Sequence, residues 1–361
     1  MNNSRSAIDE LFPDASNSLP VKRERSRRRV LRYTLIVIGS LALLAGITVG
    51  VGYLWLNSTY NQIERVEVID PELERPEPIE VPAEELAPIN ILLLGSDSRD
   101  TTDPNANAEE LRGFRSDAIM VAQISADRQN VTVMSIMRDN WVPIQGHPDA
   151  KINAAVAFGG IPLAVNTVET FIDARIDHVA LIDFESFKGL TDAVGGVTVN
   201  NPIAFTSTHG KFPIAQGEVT LNGAEALGFV RERYAFSDGD YQRARNQQAY
   251  LKGLLSKMLS KDTLTSPAKI TASFNAIKPY VIVDQNLDLN TAIGLGLELR
   301  DFDKSNISFF TSPTLGTGTS GDGQSIVLPD WEEINVLREA MRAGTLDHYA
   351  ETRTAGSELP G

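Results

Sequence analysis

The sequence predicts an α/β domain, a mixed central sheet flanked by helices, preceded by one transmembrane helix. Three observations lead there. From residue 89 onward, short apolar runs rich in β-branched residues alternate with longer segments of helical periodicity. Upstream of them an uncharged stretch is long enough to cross a bilayer. The whole chain, 361 residues at 42% hydrophobic and 22% charged, has enough apolar residues to bury a sizeable core.

The N-terminal arm, residues 1–32, carries eight basic residues against four acidic ones, so the rest of the chain stands at −18 against −14 overall. Nucleic-acid binding is one reading of such an arm, but it has no aromatic interleaving and no second basic stretch. Tyr33–Leu56 follows, 24 residues without a charge. At 1.5 Å per residue it spans about 36 Å, against a bilayer core of about 30 Å. Tyr33, Tyr53 and Trp55 sit near its ends, where amphipathic rings favour the interface. Because Lys22–Arg32 lies just before the span, the positive-inside rule leaves the N-terminus in the cytoplasm and residues 57–361 outside. Residues 57–88, with nine acidic residues and five prolines, read as an extended stalk.

The folded domain is expected over residues 89–310. Ile89–Leu94 reads as a buried strand ending in Gly95. Ala118–Ile124 and Val131–Ile136 read as a hairpin across Ser125–Asn130. Ile161–Ala174 has helical spacing, Val179–Phe184 is a strand, Glu185–Ala193 a helix and Val197–Val199 a strand entered through Gly195-Gly196. Gly228–Arg233 is expected as a strand and Tyr241–Leu259 as an amphipathic helix. Strand Tyr280–Val283, helix Leu289–Arg300 and strand Ile307–Phe310 complete the domain. Residues 311–361 read as a loop-rich extension with a loose tail.

Several chemistries are excluded. There are no cysteines, hence no disulfide, thiolate metal site or thiol nucleophile. The four histidines, His147, His178, His209 and His348, have no metal-ligand spacing. No phosphate-binding loop, dinucleotide fingerprint or nucleophile elbow is present. What remains is charge gathered at strand ends, where ligands of α/β sheets bind. Asp97 and Arg99 follow the first strand, Arg115 and Asp117 precede the second, and Arg138-Asp139 follows the third. Asp97 and Asp117 have the chemistry of an Mg²⁺ site, or else cap turns. Arg231 and Arg233, two apart on the expected strand, would leave it on one side. Asp240, Arg243 and Gln247 share a helix face, with Arg245 and Gln248 beside it. These arginines either pair with Glu232, Asp238 and Asp240 or form an anion site.

Segments ILLLGSDSR (91–99), RSDAIMV (115–121), SIMRD (135–139), KINAA (151–155), FESFKGLTDAVGGVTV (184–199), LNGAEALGFVRER (221–233) and DYQRARNQQ (240–248) together resemble the LytR-CpsA-Psr family of membrane-anchored cell-wall transferases. One departure is Met137, where the motif usually has proline before the Arg-Asp pair. The resemblance implies a donor in which a glycan is linked to a polyprenyl pyrophosphate, with the lipid in an apolar pocket. The glycan phosphate passes to a peptidoglycan hydroxyl, releasing polyprenyl phosphate. By that resemblance Asp97 and Asp117 hold Mg²⁺. Arg138, Arg231, Arg233 and Arg243 surround the pyrophosphate, Gln247 assists, and Lys151 lies near the head group. Arg99 and Arg115 match the motif and orient the carboxylates. Asp97 is the best carboxylate to take the acceptor's proton, although a bound metal would lower its basicity, so the base stays open. A hydrolase that uses water at the same site, and a non-enzymatic lipid-sensing regulator, are the alternatives.

Overall fold

The computed structural model describes residues 64–66, 68–79, 81, 86–96, 116–258, 281–287 and 302–356, with the isolated positions 291, 295 and 298. All lie in the compact unit Asn61–Gly361. The expected transmembrane helix, Asp97, Arg99, Arg115 and most of the expected helix Leu289–Arg300 fall outside the described residues.

The chain opens with β1 (Glu64–Val66), β2 (Ile89–Ser96), β3 (Ser116–Ile124) and β4 (Val131–Ile136). A small hairpin, β5 (Trp141–Ile144) and β6 (His147–Lys151), leads into α1 (Ala154–Ile172), then β7 (His178–Asp183) and α2 (Phe184–Ala193). Strands β8 (Val197–Asn201), β9 (Phe205–Thr206), β10 (Pro213–Ile214) and β11 (Gly217–Leu221) form two short pairs before α3 (Gly223–Arg231) and α4 (Asp240–Met258). The last elements are β12 (Val281–Asp284), β13 (Ile307–Thr311), the hairpin β14 (Thr314–Thr319) and β15 (Ser325–Pro329), α5 (Trp331–Ala343) and α6 (Leu346–Gly356).

Seven strands make one mixed sheet in the order β1-β12-β7-β2-β3-β4-β13. The expected hairpin is there, with β3 antiparallel to β4. Strand β2 sits at the centre, parallel to β7 and antiparallel to β3. Its side chains alternate between two layers, as the two-residue repeat of a strand requires. Leu92 and Leu94 enter a core built with α1, α5 and α6, while Ile91 and Leu93 face the other way. The first layer is the drier one. Of the twelve largest fully buried side chains, all but Phe229 belong to it. On the other layer α2, α3 and α4 pack around Phe229, Leu190, Val230 and Leu254. Helix α4 is tied to the sheet by Gln248, whose amide donates to Ser135 Oγ and to the Phe310 carbonyl, both at 2.9 Å.

Three expectations change. Residues 64–66 and 68–76 are not an extended stalk. β1 extends the sheet beside β12, Val68 is buried in the core, and Arg75 pairs with the fully buried Glu169 at 2.5 Å. Segment composition averaged away the few apolar residues that matter. Gly228–Arg233 is not a strand but the end of α3 and the turn after it. Asn222 and Glu225 form a reciprocal capping box, and Ala226, Phe229 and Val230 recur at helical spacing on the buried side. Within the C-terminal extension, α5 and α6 join the main core. Ile334, Leu337, Met341 and Leu346 are fully buried in the main cluster. Gly344, at φ +67°, makes the left-handed turn between α5 and α6 that a residue with a Cβ resists.

Candidate active site

The polar cavity is built from strand ends and two helix ends. Gly95 pairs with Ala118, but Ser96 pairs with Ser116, so Asp117 is the extra residue of a β-bulge between β2 and β3. A bulge re-aims the side chain it carries. Here it places Asp117 at the cavity wall beside Arg138, which leaves the end of β4. Beneath Arg138 the chain turns tightly, with the Asn140 N–H donating to the Met137 carbonyl at 3.0 Å. Arg231 is the last residue of α3, and Arg233 follows after Glu232 breaks into extended backbone. Arg243 and Gln247 come from the first turns of α4.

These side chains converge. A cavity of about 220 Å³ is lined by Asp117, Arg138, Arg231, Arg233, Arg243 and Gln247, together with Phe184, His209 and Tyr234. Asp240 is the shared counter-ion: Arg243 reaches it at 2.8 Å, Arg138 at 3.4 Å and Arg233 at 3.5 Å. Burial pushes the Asp240 carboxyl up, but Arg243, Arg138 and Arg233 together hold it below the usual carboxylate value. Burial opposes the Arg138 charge, yet Asp240, Asp117 and Asp139 outweigh it and raise its pKa. Arg243 goes the other way. Burial and then the neighbouring Arg138 depress its pKa, so its charge is held at a cost. Arg231 stacks on Phe184, with its guanidinium carbon 4.5 Å from the ring centre. Among the described residues four guanidinium groups gather beside Asp117, Asp139 and Asp240, and guanidinium forks of this kind suit an anion with several oxygens.

A second cavity, about 130 Å³ and apolar, lies between the open face of the sheet and the helices. Leu93 and Met120 form its floor, and Phe187, Leu190, Leu251 and Leu254 form its walls. Tyr250 also lines it. Burial pushes this phenol up to about 12, so it stays neutral, bonded to Thr191 Oγ1 at 2.5 Å. Ala118, Phe184, Val230 and Gln247 line both cavities, so the polar and apolar spaces share a wall.

The structure thus brings Asp117, Arg138, Arg231, Arg233, Arg243 and Gln247 together. Lys151 stands one step back and pairs with Asp139 at 3.2 Å, beside Arg138. Glu232, weighed as an arginine partner, instead accepts from the backbone N–H groups of Thr208, Arg233 and Ala235. Sequence reasoning missed Phe184, Tyr234 and His209. The first two lie within or beside segments already singled out, but His209 sits in a turn whose place beside α3 no local pattern reveals. Among the described residues no group of three or more His, Asp or Glu assembles into a metal cage. Asp117 does supply one hard carboxylate oxygen donor beside an anion cavity, and Mg²⁺ sites that recruit phosphate oxygens need only one or two.

The LytR_cpsA_psr family model matches residues 56–343. A polyisoprenyl-teichoic acid–peptidoglycan teichoic acid transferase, TagU of Enterococcus faecalis, is 30% identical over 316 residues, 85% of this chain and 95% of that protein. The cell wall biosynthesis protein LcpA of Corynebacterium glutamicum is 29% identical, over 69% of this chain and 54% of that one. The crystal structure of TagV from B. subtilis superposes with a TM-score of 0.58 at 26% identity, covering 72% of this chain and 97% of that one.

Proposed function

Since the chain belongs to the LytR_cpsA_psr family, we propose that it transfers a cell-wall glycopolymer from a polyprenyl pyrophosphate carrier to a peptidoglycan hydroxyl. The transfer forms a phosphodiester and releases polyprenyl phosphate. The observation that carries this reading is the shared wall between the arginine-lined cavity and the apolar one. A pyrophosphate on an isoprenoid tail needs both surfaces in contact. In this reading the protein is anchored in the cell membrane by residues 33–56, with the domain outside, so that enzyme and donor share one bilayer.

Phosphoryl transfer asks the protein chiefly to position the groups and neutralise charge. Arg138, Arg233 and Arg243 are preorganised around Asp240, and Arg231 is fixed against Phe184. Guanidinium groups held in place stabilise charge building on the leaving phosphate without reorganising. The amide of Gln247 donates to the Val230 carbonyl at 3.4 Å, at the boundary between head and tail. The apolar walls hold the first carbons of the tail and exclude water from the phosphorus that reacts. Asp117, with Asp97, would hold Mg²⁺, which when bound would neutralise phosphate oxygens. Lys151 would meet the outer head group, and Arg99 and Arg115 would orient the carboxylates.

The test uses the full chain in detergent, a synthetic polyprenyl-pyrophosphate disaccharide and a soluble peptidoglycan glycan. A phosphodiester-linked product supports transfer. Free glycan phosphate with no linked product would instead identify a hydrolase. Asp117→Ala should keep its fold and lose transfer across an Mg²⁺ titration, whereas full activity in that variant would remove the metal assignment.

A further inference from the structure

We infer that Tyr234 is the platform for the sugar bonded directly to the donor's pyrophosphate, so that this ring, and not the arginines, reads which glycan is carried. This rests on the proposed transfer and says which part of its donor the chain can distinguish. Of the large hydrophobic side chains exposed among the described residues, only Tyr234 lines either cavity. It lines the polar one and not the apolar one, so it stands on the head-group side.

The ring stands one group away from the place where the phosphate would bind. The Arg233 guanidinium lies over it, with its carbon 4.5 Å from the ring centre, and donates through Nη2 to the Tyr234 hydroxyl at 2.5 Å. The same guanidinium reaches Asp240 through Nη1 at 3.5 Å. Arg233 therefore joins the arginine cluster to the ring, and a phosphate held by Arg233 brings its own sugar within reach of Tyr234. The residue is 67% exposed, so the guanidinium covers one part of the ring and leaves the rest to solvent.

The chemistry of the two surfaces matches. A pyranose presents a face of C–H groups edged by hydroxyls, and tyrosine presents an apolar body with a polar tip. The arginines suit phosphate oxygens, which every donor of this class shares, so they carry no information about the sugar. Discrimination has to come from a group that touches the sugar itself.

The platform is set before any ligand arrives. Glu232 is fully buried and accepts from the Arg233 N–H at 3.1 Å and from the Ala235 N–H at 3.0 Å, one on each side of Tyr234. Further along the same turn, Phe236 meets Phe205 edge to face at 4.9 Å, and Phe205 in turn lies against Phe229 with ring centres 5.9 Å apart. The backbone is thus pinned around Tyr234 while its side chain stays in solvent. A contact group already held in place loses little freedom on binding.

The experiment uses the full chain in detergent and two probes, bare polyprenyl pyrophosphate and the same carrier bearing one sugar. Wild type should bind the sugar-bearing carrier more tightly. Tyr234→Ala should weaken that binding by about 3–10-fold, the scale of one aromatic contact, while the bare carrier, held by the arginines, loses far less and the fold keeps its melting temperature. Tyr234→Phe, which retains the ring, should recover most of the lost affinity. In the transfer assay the loss should fall on KM for the donor and not on kcat. Equal affinity of wild type for the two probes would overturn the inference. So would Tyr234→Ala weakening both probes alike, which marks the ring as a prop for Arg233. Wild-type affinity of Tyr234→Ala for both probes discards the platform and leaves the donor reading standing. If wild type binds neither probe, the donor reading fails and the platform with it.

Discussion

At the scale of single residues, one carboxylate serves three guanidinium groups, and their energies differ in sign. Arg243 is charged against the pull of burial and of Arg138. A base whose folded-state pKa is depressed costs stability wherever it is charged. Arg243→Met should therefore leave the melting temperature unchanged or raised, while weakening binding of the lipid pyrophosphate by about 1.5–3 kcal/mol. A clear fall in melting temperature with intact affinity would mark Arg243 as a structural partner only. Asp240 is the opposite case. Its folded pKa lies below the unfolded value, so its contribution is full above that value and is lost as pH falls through the folded one. Asp240→Asn should cost about 1–3 kcal/mol near neutral pH, and the gap to wild type should close below about pH 4. Melting curves of both proteins across pH read this directly, and a gap that persists in acid would contradict it. The arginine cluster was legible in the sequence because its spacing on α4 survives intact in the fold. Of the two readings left open, ion pairing is what the structure shows, since Asp240 engages three arginines, while the anion site belongs to the proposed function.

At the scale of elements, the sequence put Arg231 and Arg233 on one side of a strand, and they do reach one cavity, but by another route. Helix α3 delivers the first and the extended turn after Glu232 delivers the second. The run GFVRER is apolar and β-branched enough to read as a strand in isolation. The deciding signal lay upstream, in the capping pair Asn222 and Glu225. Asn222→Ala should cost about 1 kcal/mol, and this loss should show as a lower denaturant midpoint at unchanged slope. An unchanged midpoint would mean that packing of Phe229 alone starts the helix. The bulge at Asp117 was beyond sequence reasoning, because it is a property of the β2–β3 register and neither strand's pattern contains it.

At the scale of the whole molecule, composition misled where it was averaged. Acidic and proline-rich on the whole, residues 57–88 still place Val68 in the core and Arg75 against a buried carboxylate. A chain beginning at residue 61 should unfold cooperatively at the stability of the full folded domain. One beginning at residue 89 should be less stable by several kcal/mol. Arg75→Ala alone should cost about 3–5 kcal/mol, because Glu169 is left buried without its cation. Equal stability of the two truncations would show that the N-terminal segment is dispensable packing. The unequal two layers of the sheet carry a further consequence. Nearly all the largest buried side chains lie on the α1, α5 and α6 side, whereas both cavities open on the other. The sheet thus acts as a partition between foldedness and chemistry. Exposed lining residues outside both apolar clusters, such as Tyr234, can be exchanged with little loss of stability, so one scaffold is free to diversify the molecules it handles.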